Sequence, residues 1–142
     1  MDMLYIKLQK IRVVPLLFLG EKSITSLYFF ILGYSDKAFE IDSNYKDCLE
    51  GFTEFVQKKC KDRYQVHSWV SLVKKKSSNE EEAFDYFFSL LKEHIKGKRQ
   101  SDGTAYDFNA EEWYKKRREA QKASVDALFK NNETGDNNDT DN

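Results

Sequence analysis

The sequence predicts an all-α fold: a compact bundle of about five helices, then a C-terminal helical extension and a disordered acidic tail. Three observations carry this. Apolar residues recur at three- and four-residue steps through most of the chain, the spacing of one helix face. Capping residues stand just ahead of those periodic segments, and helix breakers stand just after them.

The elements follow in order. Leu4, Ile6, Leu8, Ile11 and Val14 form a first helix that must stop at Pro15, the chain's only proline, because a residue before proline is pushed out of the α region. The stretch "VVPLLFLGEKSI" (13–24) reads as a corner, with proline ending one helix and Gly20 preceding a new cap. Its leucines, Leu17 and Leu19 among them, are expected to plug the core. Ser23 caps a second helix carrying Ile24, Leu27, Tyr28, Ile31, Tyr34, Ala38 and Ile41, ending near Asp42. Gly33 costs this helix about 1 kcal/mol relative to alanine, which points to a close packing contact there.

A third helix spans Cys48, Leu49, Phe52, Phe55, Val56 and Cys60, its basic end "KKCK" suiting a helix C-terminus. The segment 68–74 forms a short helix opened by Ser68 or a strand, too few residues to tell. Ser78 with Glu81 matches a capping box, and Ala83, Phe84, Phe87, Phe88, Leu91 and Ile95 form an apolar stripe that reaches Lys96 and stops at Gly97. Asn109 and Glu112 can cap a last helix with a sparse apolar face. The expected organisation is a helical domain over 1–97, a linker over 98–108, a C-terminal helix over 109–130 and a disordered tail over 131–142.

The 142 residues suffice for one domain that buries roughly 68% of its unfolded surface. Formal net charge is only -1, but Glu133, Asp136, Asp139 and Asp141 lie in the tail, and setting them aside leaves 20 acids against 23 bases. A tail of Asn, Asp, Thr and Gly has nothing to bury. The start "MDMLYIKLQKIR" does not read as a signal peptide, and Glu21 and Lys22 interrupt the opening apolar run well short of the ~20 residues a membrane helix needs. A cytoplasmic protein with two reduced, buried cysteines, Cys48 and Cys60, is the expectation, with no membrane role.

Chemistry-bearing patterns are sparse. His67 and His94 stand 27 positions apart, and no acidic cluster has metal-ligand spacing. No GxxxxGK[ST], GxGxxG, HExxH or GxSxG occurs. The expectation is no catalytic residue, no cofactor, no metal and no enzyme activity. One basic region stands out: Lys58, Lys59, Lys61, Arg63, Lys74, Lys75 and Lys76, against the single acid Asp62, with Tyr64 and Trp69 among them. Basic residues interleaved with aromatics can hold phosphates and stack bases. Dipole-complementing lysines at two helix C-termini explain the same pattern without nucleic acid.

Several blocks, "VVPLLFLGEKSI", "GFTEFVQKKC", "SWVSLV" and "SNEEEAFDYFFSLL", are similar to a group of small bacterial proteins that carry "RPGMYLG", "EKSI", "GFxEFVQKKY", "SWxxL" and "SxEEEAFDxFFxLL". The chain resembles that group over roughly residues 4–95. Its members look like immunity-type proteins associated with polymorphic toxins. "RPGMYIG" also occurs in gyrase-type ATPases, but their acidic nucleotide boxes and glycine-rich lid have no counterpart here. The resemblance supplies no catalytic residue. It implies a non-enzymatic role: binding a cognate protein toxin, or another protein partner, and occluding its active surface. Tyr64, Trp69, Trp113 and Tyr114 are the candidate partner-binding residues. The alternative is a nucleic-acid-binding or regulatory module that uses the basic 58–76 region.

Overall fold

Asp2 opens the chain's first helix: its carboxylate accepts the Tyr5 amide at 2.9 Å, an N-cap bond. The structure, a computed structural model, describes residues 2–102 and 106–136. Among the described residues there are seven α-helices and no strand. They fall into two units, the first reaching Phe108 and the second beginning at Asn109.

In the first unit, α1 (Met3–Val13) buries Leu4, Leu8 and Ile11 and ends ahead of Pro15. Proline then starts α2 (Pro15–Leu19) at the position where its missing N–H costs nothing, and Gly20, at φ +76°, closes it in the left-handed conformation. The corner is therefore real, but the plug differs from expectation. Leu16 is exposed and Leu17 is 50% exposed, whereas Phe18 and Leu19 are the two that pack against the core. A single helical turn has one inward side, so four consecutive apolar residues cannot all face it.

Ser23 caps α3 (Ile24–Ile41), accepting the Ser26 amide at 3.2 Å, and Asp42 ends it. The close contact expected at Gly33 is absent: a Cβ built there meets nothing within 4 Å. The third periodic segment is helical only over α4 (Phe52–Lys59). Asp47 accepts the Leu49 amide at 2.9 Å, and Gly51 sits at φ +75°, so Cys48 and Leu49 lie in the preceding turn. Cys48 is buried nonetheless, while Cys60 is half-buried beyond the last turn; neither is bridged.

Residues 69–75 are helix, α5 (Trp69–Lys75), with Ser68 accepting the Ser71 amide. The cap of α6 (Glu80–Asp102) is Asn79, whose Oδ1 accepts the Glu82 amide at 2.8 Å, one residue past the expected Ser78. The helix also continues through Gly97. Ile95 is buried just before it, and the Lys98 ammonium reaches the Asp47 carbonyl at 3.4 Å just after it. Those ties outweigh the roughly 1 kcal/mol that one helical glycine costs.

The core is aromatic. Phe84, Phe87, Phe88 and Leu91 of α6 are buried as their spacing predicts. Phe87 meets Phe52 of α4 at 5.4 Å and Trp69 of α5 at 5.0 Å, and α3 packs across α5 and α6. Each buried Phe contributes about 1.5–3 kcal/mol by leaving water. Tyr106 belongs to this core as well: its ring lies 5.0 Å from Tyr5, whose hydroxyl donates to the Tyr106 carbonyl. The stretch expected as a linker over 98–108 thus begins as helix and ends docked on α1, with 103–105 outside the described residues.

In the second unit Asn109 caps α7 (Ala110–Asp136), accepting the Glu112 amide at 3.0 Å. The helix runs six residues into the stretch expected as tail, and 137–142 lie outside the described residues.

Candidate functional site

Between α4 and α5 the chain makes a nine-residue loop built around the acid that stands alone among the bases. Asp62 is only 7% exposed at its side chain. Its carboxylate accepts the His67 amide at 3.0 Å and faces the His67 imidazole Nδ1 at 3.2 Å. Its amide donates to the Gln57 carbonyl at 2.8 Å, and its carbonyl accepts the Gln65 amide at 3.1 Å. Gln57, itself buried, donates from Nε2 to the His67 carbonyl at 3.0 Å. The two ends of the loop are thereby tied to each other.

Two residues in this loop, Lys61 at φ 56° and Gln65 at φ 53°, hold the left-handed conformation that non-glycine residues rarely adopt. Such strain persists only where surrounding bonds over-determine it, and it collects at functional sites. The Asp62 bonds supply that over-determination. The His67 backbone N–H, helped by its imidazole, holds the Asp62 carboxyl below the usual carboxylate range, so it stays ionised at neutral pH. The consequence is a loop tied at both ends whose tip turns outward: Tyr64 is 79% exposed and Val66 72% exposed, with Lys61 and Arg63 exposed beside them.

The remaining candidates divide. Trp69 is not a surface anchor; it is a core residue, wedged among Tyr28, Phe52 and Phe87. Trp113 and Tyr114 belong to the second unit, half-exposed on the first turns of α7, with Arg117 over the Trp113 ring at 5.8 Å and Arg118 over Tyr114 at 5.7 Å. The seven bases are all exposed, but they do not form one strip. Lys59 pairs with Glu93 at 2.8 Å and Lys74 with Glu80 at 3.8 Å. Those two acids sit thirteen residues apart on α6, about 20 Å along the axis. Lys58, Lys59, Lys61 and Arg63 flank the loop; Lys74, Lys75 and Lys76 gather at the other end of α6. Sequence reasoning missed Asp62 and Val66, although one acid among seven bases was a signal.

A second titratable group lies below the loop 42–51. Cys48 is buried, and burial, followed by the nearby Asp2 and Asp47, pushes its thiol up, opposite to what a nucleophile needs. His94 donates from Nε2 to the Glu50 carbonyl at 3.0 Å, and burial beside Lys98 lowers its pKa, so it is held as a neutral donor. Among the described residues no three His, Cys, Asp or Glu side chains could together hold a metal ion. Among them too, no helix is long and apolar enough to cross a membrane.

No protein family, no curated protein and no solved structure matches this chain.

Proposed function

We propose that this chain is a non-enzymatic, protein-binding module that works as immunity-type proteins do, neutralising a cognate toxin by covering its active surface. The observation that carries the reading is the locked 61–67 loop, which presents Tyr64 and Val66 to solvent. A hydrophobic pair on a pre-ordered loop loses little entropy on binding, and tyrosine combines large contact area with few torsions. The exposed Lys58, Lys61 and Arg63 around it favour a partner surface of acidic character, raising the association rate more than the final affinity. The bacterial group that the sequence resembles adds the toxin-neutralising role.

The reading expects a toxin C-terminal domain encoded immediately upstream of its gene, and co-expression with that domain tests it. The wild-type chain should restore growth, and the Tyr64→Ser, Val66→Ser double variant, which touches no core residue, should not. Wild type that gives no protection sinks the toxin reading. Protection that survives the double variant moves the contact away from this loop.

A further inference from the structure

Helix α3 is apolar on nearly every side, a composition that ordinarily marks a buried helix. Its inner side, Ile24, Leu27 and Ile31, is covered by the bundle. Its outer side is not: Phe29 is 64% exposed, and Leu32 and Phe39 are exposed with it. At 100° per residue Phe29, Leu32, Asp36 and Phe39 share one stripe, so a single acid interrupts an otherwise apolar line. A groove of about 590 Å³ runs beside it, bounded by Leu32 and Phe39 on one flank and by Tyr45 and Asp47 on the other. Of the charges lining this groove, Lys46 is engaged by Glu50 at 3.5 Å, which leaves Asp36 and Asp47 to set its acidic character.

The same chain carries the complementary surface. Helix α7 leaves Val125, Leu128 and Phe129 exposed, and at the same angular spacing they share a stripe with Tyr114 and Arg118. Between Tyr114 and Phe129 that stripe holds one charge, Arg118, and one uncharged polar residue, Gln121, among apolar ones; between Phe29 and Phe39 the α3 stripe holds one charge, Asp36, among apolar ones. An antiparallel register that pairs Arg118 with Asp36 sets Val125 opposite Phe29 and Tyr114 opposite Glu40, one residue past Phe39. A parallel register with the same ion pair carries Val125 past Ile41, the last residue of α3.

We propose that this protein forms a two-fold dimer in which α7 of each copy lies antiparallel in the α3 groove of the other, pairing Arg118 with Asp36. Charge complementarity selects the occupant, and amphipathic helices engage apolar grooves in this way. Reciprocity repeats the contact twice and closes the assembly. A helix of 27 residues gains most of its stability from packing its apolar side, which this arrangement supplies. The proposal is independent of the 61–67 loop.

Light scattering on charge-reversed chains tests it. Wild type should have twice the mass of one chain. Asp36→Arg and Arg118→Asp should each be monomeric under the same conditions, with dimerisation weakened by about tenfold or more. Mixing the two single variants should restore the dimer, because each α7 then meets an opposite charge across the interface in both contacts. Circular dichroism should show the single variants losing only helicity attributable to α7, with the cooperative melt of the bundle kept and the lost signal regained in the mixture. Tyr64→Ser should leave the dimer unchanged. A monomeric wild type overturns the proposal, as does a mixture of well-folded variants that stays monomeric. A double variant on one chain that dimerises while the mixture stays monomeric also overturns it, because a contact between copies is restored by both.

Discussion

Glu80 and Thr25 hold two helix starts together: Glu80, the first residue of α6, accepts the Thr25 amide at 3.0 Å and the Thr25 hydroxyl at 2.7 Å. It also accepts the Ser23 hydroxyl at 3.3 Å, so an acid from residue 80 completes the cap of a helix that begins at residue 24. The Thr25 hydroxyl, above all, holds the Glu80 carboxyl below its ordinary 4.5. A depressed carboxyl stabilises the fold above its unfolded value, and that stabilisation is lost as pH falls through the folded value. Glu80→Gln should therefore cost about 1 kcal/mol or less at neutral pH, since the group is half-exposed and screened. The gap between variant and wild type should close on acidification below the ordinary carboxylate range. Denaturant titrations at several pH values check this; a gap that is constant with pH would show that the ionised form is not what matters.

Phe87 and Leu17 should respond in opposite ways to truncation. Phe87 is fully buried between Phe52 and Trp69, so Phe87→Ala should cost about 3–5 kcal/mol. Leu17 is half in water, so Leu17→Ala should cost less than about 1 kcal/mol, well under the figure for a buried leucine. Equal losses at the two positions in urea unfolding would contradict the assigned burial.

Gly33→Ala should stabilise the protein. The position is mid-helix and exposed, and an added Cβ meets no neighbour, so only the entropy gain remains. The expected gain is about 0.5–1 kcal/mol, seen as a melting temperature raised by a few degrees. A lower melting temperature would mean that α3 needs the flexibility, or that a partner approaches there.

The two thiols should react in order. Cys60 is half-buried at the end of α4, with its sulfur 3.9 Å from the Tyr86 hydroxyl, whereas Cys48 is fully buried and its thiol is raised above the ordinary 9.0. A native-state thiol reagent at neutral pH should label Cys60 first and Cys48 only on unfolding. Cys60→Ser should leave almost no fast-reacting thiol. Equal native rates at both sites would place Cys48 nearer the surface than the fold has it.

The sequence by itself determined what is local. Ser23, Ser68 and Asn109 cap helices because each needs only an amide two or three residues on, and Pro15 ends α1 by a clash with its own neighbour. The Phe84–Leu91 stripe was readable for the same reason: helical spacing puts those side chains on one face whatever that face meets. Only the tertiary structure decided which apolar faces are covered. Trp69 looked like an anchor and is core, while Phe29, Leu32 and Phe39 belong to an equally apolar helix and stand in water. Periodicity cannot rank two apolar sides of one helix, because the choice depends on where α5 and α6 lie. The 61–67 loop was hidden for a related reason. Its left-handed residues are Lys and Gln, which carry no turn signature, and their conformation is held by an aspartate that becomes a buried acceptor only when residues 57, 62, 65 and 67 come together.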